Sequence, residues 1–496
     1  MLFNSFDFIC FFPIVVLIYY LVPHKFRYIW LLLTSYYFYM CWNVEYALLL
    51  LTSTVITYIS GLLIDKIKKE NASKNILATK FVVGCSFVLN IGILVFFKYF
   101  EFIIDNLQKV LGALNIRFEV PEFSLLLPVG ISFYIFQALG YTMDVYRGEI
   151  KAERNLLRYA VFVSFFPQLV AGPIERSKNL LNQFYTKHFF NLENVKQGLL
   201  LMGWGYFCKM VIADRIAIFV DTVYGDYVTY GGWYIVVATI LFAFQIYCDF
   251  AGYSTIAIGA AQIMGFRLMD NFASPYCAIS VPDFWKRWHI SLTSWFRDYL
   301  YIPLGGNKKG TIRKYVNKLI VFLVSGFWHG ARWSYVVWGG LNGLLIVLSE
   351  IVAPIKRTLK NRLRWKEEAA SNKVLQAVIT FILVDFTWIF FRAPGTKDAF
   401  KMIQSMLTAR NFEIFFNNSL YNLGLDRRNF WLAIVTIIVL MVVDLLHNRG
   451  ISIRAWLQTQ NRWFRWLVYI VLFEAILLFG IWGVGYDQSA FIYFQF

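Results

Sequence analysis

With 496 residues, 59% of them hydrophobic, 19% aromatic and only 16% charged, the chain lies outside the composition of a soluble domain. Its formal net charge of +17 does not point to nucleic acid, because the basic residues are spread over short loops between apolar runs. What remains is an all-α polytopic membrane protein, since an open sheet in lipid leaves backbone groups unsatisfied.

Apolar runs fit to cross about 30 Å of hydrocarbon recur along the chain, for example at 8–22, 47–64, 81–100, 235–248, 374–391, 430–446 and 467–484. The first is read as a retained span rather than a signal peptide, because no basic residues precede it and no small-residue cleavage site follows. Residues 1–147 predict five alternating spans, the fifth starting near Leu125. Basic clusters at 66–80, 308–318, 356–373 and 449–465 are placed in the cytoplasm by the positive-inside rule, which puts both termini outside it. In SFFPQLVAGPIERSK, Pro167, Gly172 and Pro173 stop a helix before it can cross, so 160–176 is a candidate re-entrant segment. Residues 270–318 are too polar to span and too aromatic for an ordinary loop, and predict amphipathic helices at the cytoplasmic face. The polar stretch 392–429 predicts a small extracytoplasmic cap. No internal repeat is visible, so a single integral domain over 1–496 is expected. The six cysteines lack CxxC spacing and are read as buried thiols.

Two of the five histidines sit in polar, tryptophan-rich surroundings. His329 in GFWHGARW follows an apolar run that starts at the basic loop ending at Lys318. Eleven residues of helix put it roughly 16 Å above that loop, near the inner turn of a helical hairpin. Position alone leaves two readings: a neutral imidazole that ties helices together, or a general base kept neutral by an apolar site. His289 in FWKRWHISLTSWFRDYLY would, on a continuous helix, share a face with Trp285 and lie two turns from Arg297. With Arg287, Trp288 and Trp328 these residues would line one channel, or else serve as interfacial anchors. Gln245, Asp249 and Tyr253, four residues apart, predict a polar stripe on one helix, open to either an interhelical hydrogen bond or a substrate contact. No Walker motif, nucleophile elbow or HExxH is present.

The ordered series LPVGISFYIFQALGYTMDVYRG, FFPQLVAGPIER, FQIYCDFAGYSTIAIG, DFWKRWHISLTSWFRDYLYIPLGGN, GFWHGARWSYVVWGGLNG and the terminal FIYFQF resembles the membrane-bound O-acyltransferases, most closely the branch of alginate and exopolysaccharide O-acetylation. The similarity is strongest over 125–345. It implies a multi-helix bundle, with about 11 transmembrane helices plus re-entrant and interfacial ones, around a central funnel. By motif, His329 corresponds to the catalytic histidine and His289 to a second essential group. The resemblance further implies acetyl-CoA as acyl donor, with no tightly bound cofactor or metal, its phosphates held by Lys286, Arg287, Lys308 and Lys309. The acceptor would be a polysaccharide outside the cell membrane, served by an extracytoplasmic partner with a serine nucleophile. Tyr493 in the tail 491–496 is a candidate acyl relay, or else an aromatic anchor. Two alternatives stand beside this reading: D-alanyl transfer to teichoic acid from a carrier-protein thioester, and a non-catalytic polysaccharide transporter or scaffold.

Overall fold

The computed structural model describes residues 1–70, 75–116, 127–362, 364–366, 368–482 and 492. Regular structure among them is helical throughout. The chain divides into two compact units, residues 1–199 with 257–269, and residues 200–256 with 270–496.

The first unit carries α1 (Phe6–Leu21), α2 (His24–Met40), α3 (Val44–Glu70), α4 (Ile76–Leu94), α5 (Phe100–Ala113) and α6 (Ile131–Arg147). The Ser5 hydroxyl caps α1 by accepting from the Phe8 amide at 3.3 Å. The fifth span starts six residues later than its apolar run, after Gly130 at φ +73°, a left-handed turn that glycine adopts without strain.

Next come the short helices α7 (Leu156–Ser164), α8 (Phe166–Leu169) and α9 (Ser177–Gln183), so the stretch around Pro167 and Gly172 is broken as its prolines and glycine require. The break is buried from Tyr159 to Ser177. Several of its polar groups find partners inside the unit: the Gln137 and Gln168 side chains both donate to the Phe162 carbonyl, and Glu175 accepts from the Met269 amide at 2.5 Å. A Cβ on Gly172 would stand 2.3 Å from the Gln168 Cα, which makes glycine necessary there.

The second unit takes in the end of α10 (Leu192–Tyr206), a wider π-type turn (Phe207–Ala213), α11 (Asp214–Gly225) and most of α12 (Trp233–Ile263). It continues through α13 (Val281–Arg287), α14 (Ile290–Phe296), α15 (Thr311–His329), α16 (Trp333–Arg362), α17 (Ala370–Arg392) and α18 (Thr396–Leu407), and ends with α19 (Arg427–Asn448), α20 (Ile453–Gln458) and α21 (Arg462–Phe479). The stretch 392–429 holds α18 and two short 3-10 turns. It is fastened to the connection before α12 by Tyr227 donating to Asp398 at 2.7 Å, and to the start of α12 by the Trp233 amide donating to Asn411 at 3.1 Å.

Six described helices are long and apolar enough to span a bilayer: Val44–Glu70, Ile76–Ala113, Trp233–Ile263, Trp333–Leu359, Ala370–Arg392 and Arg427–Asn448. The protein is therefore a multi-pass membrane protein. The further apolar helices that an expectation of about 11 spans includes are shorter, as α1 and α2 are, or carry charges, as α15 and α21 do. One expectation fails for half of its members. Cys208, Cys248 and Cys277 are buried, but Cys10, Cys41 and Cys85 lie on the outer surface, where an apolar thiol suits a lipid-facing helix as well as a core.

Candidate active site

Both motif histidines belong to the second unit. His329 is the last residue of α15, and the turn 330–332 leads directly into α16. The two helices close on glycines. A Cβ on Gly326 would lie 2.2 Å from the Tyr335 carbonyl oxygen, and one on Gly339 would lie 2.2 Å from the Phe322 carbonyl oxygen. Backbone meets backbone here, as small residues in membrane helices allow. At the other end of the hairpin, Lys314 and Lys318 both pair with Glu350, the first at 2.7 Å. The helix starts at Thr311, so these lysines ride on it rather than on a preceding loop.

Gly339→Val is expected to cost about 1–3 kcal/mol or more, because the clash is with backbone that cannot rotate aside. Gly340→Ala, whose Cβ would meet only the Leu323 side chain at 3.4 Å, is the matched control and should behave as wild type. Heating purified protein and measuring the monodisperse fraction by size exclusion checks both.

His329 is buried in an aromatic box. Its ring contacts Trp338 edge-on at 5.1 Å and Phe391 at 5.4 Å, while Trp338 stacks on Trp388 at 5.7 Å. Trp328 contacts His329 at 4.9 Å and His289 at 6.1 Å, so one indole touches both imidazoles. His289 in turn packs edge-on against Phe250 of α12 at 4.7 Å. Burial pushes the His289 imidazole down to about 3, so it is neutral across the physiological range.

The expectation of one continuous helix through His289 is corrected. Helix α13 ends at Arg287, Trp288 is extended, and His289 stands at φ +45°, in the left-handed region that costs a non-glycine residue strain. Asn271 holds the break in place. Its carbonyl accepts from the Ile290 amide at 2.9 Å, and its side chain accepts from Ser291 at 2.6 Å and donates to Ser254 at 3.0 Å.

The break decides which predicted residues meet. Trp285 is buried, donates to Asn342 at 3.3 Å and contacts Trp338 at 5.7 Å. Trp288 packs on Trp388 at 5.2 Å. Arg297 does not join them: it is exposed and pairs with its neighbour Asp298 at 2.8 Å. Arg287 bonds Asp283 at 3.1 Å and Asn448 at 2.6 Å, a structural engagement. Lys286, Lys308 and Lys309 are exposed and lie outside the buried cluster. Tyr493 lies outside the described residues.

Gln245, Asp249 and Tyr253 are all buried along α12. Asp249 proves to be part of an ion cluster that the sequence reading missed. Lys209, on the π-type turn, reaches Asp249 at 2.5 Å and Asp214 at 2.8 Å, all three groups being buried. Gly205 and Gly252 let the two segments approach, since a Cβ on Gly205 would be 2.6 Å from the Gly252 carbonyl oxygen. Asp444 was missed as well: it accepts from Tyr247 at 3.0 Å and Ser274 at 3.3 Å. The available signal was the same for both, an ionisable residue inside an apolar run, in YFCKMVIAD and LMVVDLL.

An imidazole buried among aromatic rings is a group that can take and return a proton, and a second histidine that shares one of those rings is a group that can orient or polarise what reacts. Residues 149–391, which include both histidines and the ion cluster, match the model of the membrane-bound O-acyltransferase family. Over 98% of both chains, 34% of residues are identical to a Pseudomonas putida protein named "Probable alginate O-acetylase". The peptidoglycan O-acetyltransferase of Helicobacter pylori is 35% identical over 76% of this chain and 73% of its own. The teichoic acid D-alanyltransferase of Bacillus subtilis is 27% identical over 55% of this chain and 70% of its own. Family model and near full-length relatives agree, and the chain belongs to the membrane-bound O-acyltransferase family: it is an acyltransferase.

Proposed function

We propose that the protein moves an acetyl group from cytoplasmic acetyl-CoA to hydroxyl groups of an extracytoplasmic polysaccharide, with His329 as general base. The observation that carries this reading is the burial of His329 beside Trp328 and His289 at the closed end of a glycine-packed hairpin. Membership in an acyltransferase family sets aside the transporter and scaffold alternative. The relatives named for O-acetylation cover more of the chain at higher identity than the D-alanyltransferases, which favours acetyl over D-alanyl.

In the reaction, a hydroxyl oxygen attacks the thioester carbonyl carbon while its proton passes to His329. His289 donates to the developing oxyanion, an interaction strengthened where water is excluded. Collapse breaks the carbon–sulfur bond, and His329 returns the proton to the leaving thiolate. The products are an acetyl ester and free CoA. Lys286, Lys308 and Lys309 would meet the CoA phosphates as exposed point charges. The first hydroxyl is that of Tyr493, from which the acetyl passes to a serine of an extracytoplasmic partner and then to the polymer. Both termini lie outside the cytoplasm in this reading, consistent with the basic clusters.

The test is mass spectrometry of surface-polysaccharide O-acetyl content in cells carrying wild type or Tyr493→Phe at matched membrane levels. Loss of O-acetyl groups with Tyr493→Phe is expected. Normal acetylation by that variant removes the relay and leaves direct transfer. Polymer carrying D-alanyl and no acetyl overturns the donor.

A further inference from the structure

The C-terminal segment is tied down at points that converge on one element. After α21, the Phe479 carbonyl accepts from Arg215 and the Ile481 amide donates to the Met210 carbonyl at 3.0 Å. Eleven residues on, the amide of Ile492, itself buried, donates to the second carboxylate oxygen of Asp249 at 2.7 Å. The first oxygen of that carboxylate is the one that meets Lys209. Met210 and Lys209 are neighbours on the π-type turn, and Arg215 follows it closely. Turns of this kind inside a helix recur at functional sites.

A buried carboxylate shared between a lysine and a backbone amide is specific in what it recognises. It reads no side chain at position 492, only an N–H at a fixed place, and a charged acceptor makes that bond stronger than a neutral one. Asp249 also links this contact to the candidate active site. Its neighbour on α12, Phe250, packs on His289, and Trp328 contacts both His289 and His329. The residue after Ile492 in the sequence is Tyr493.

We propose that Asp249, held by Lys209, which also pairs with Asp214, is the seat of the C-terminal segment and positions the residue after Ile492 for acyl transfer. The second half of this statement rests on the relay reading above. Asp249 is thus a positioning residue and does not itself touch the reacting atoms.

The seat is tested without reference to activity. Purified wild type and Asp249→Ala are treated with a carboxypeptidase in detergent and their intact masses read over time. Trimming of wild type is expected to stop before Ile492, and trimming of Asp249→Ala to run past it, with Asp249→Asn, which keeps an acceptor oxygen, in between. Equal protection of wild type and Asp249→Ala overturns the seat. Set against Ile492→Ala, which loses the buried side chain but keeps the donor, Ile492→Pro removes the donating N–H and guards against misfolding of the Asp249 variants. It should lower polymer acetylation about tenfold or more, the loss that follows from a hydrogen bond to a charged group, whereas Ile492→Val should retain it. In an Asp249→Asn background the added loss from Ile492→Pro should shrink, because both changes act on one bond. Losses that multiply in full overturn the seat. If Tyr493→Phe acetylates normally while Asp249→Ala frees the tail, the relay reading fails and the seat stands.

Discussion

His329→Gln is expected to slow acetyl transfer by about a hundred- to ten-thousand-fold, the usual contribution of a positioned general base. Glutamine keeps a polar side chain of similar reach in the aromatic box of Trp328, Trp338 and Phe391, but takes up no proton at neutral pH. The measurement is the rate of the first-turnover release of CoA by purified enzyme in liposomes supplied with acetyl-CoA, a step that needs no partner, with the heat-stable monodisperse fraction of the same preparation recorded alongside. A variant that is folded and slow supports base chemistry. One that is folded and turns over at the wild-type rate leaves His329 as a tie between helices.

Lys209→Met is expected to lose about 3–5 kcal/mol of stability, since it leaves Asp214 and Asp249 buried together with their cation removed. Much of the protein should then fail to reach the membrane. Adding Asp214→Asn and Asp249→Asn to Lys209→Met removes the orphaned charges and should recover most of the folded material. Membrane abundance and melting of the single and triple variants decide it. If Lys209→Met melts with wild type, the three residues do not form an ionic unit.

The helices could be read from the chain because each kind of signal there is local. Apolar length marks α3, α12 and α19, and Pro167 with Gly172 marks the buried break between α7 and α9. The two histidines stood out because polar residues are rare in this composition. What stayed hidden depends on contacts remote in sequence. WKRWHISLTSW reads as continuous helix, and only Asn271, from outside that stretch, pins His289 at positive φ, so the face once shared with Arg297 dissolves. Lys209 was visible as a lysine among apolar residues, yet its partner Asp249 lies forty residues away along the chain. The amide of Ile492 could not be paired from sequence at all, since any residue but proline offers the same donor.

The glycine-packed hairpin has a mechanical meaning. Where Gly326 meets Gly339 there are no side chains to change rotamer, and at the far end two lysines share Glu350, so α15 and α16 can neither slide nor splay without breaking contacts at both ends. The imidazole of His329 is thus mounted on a rigid post instead of a loop, the arrangement that holds a reacting group within a fraction of an ångström. Motion during turnover then belongs to the groups that come to the post. Backbone amides of α15 near Gly326 should be among the slowest in the molecule to exchange with deuterium, and should stay so whether or not acetyl-CoA is present.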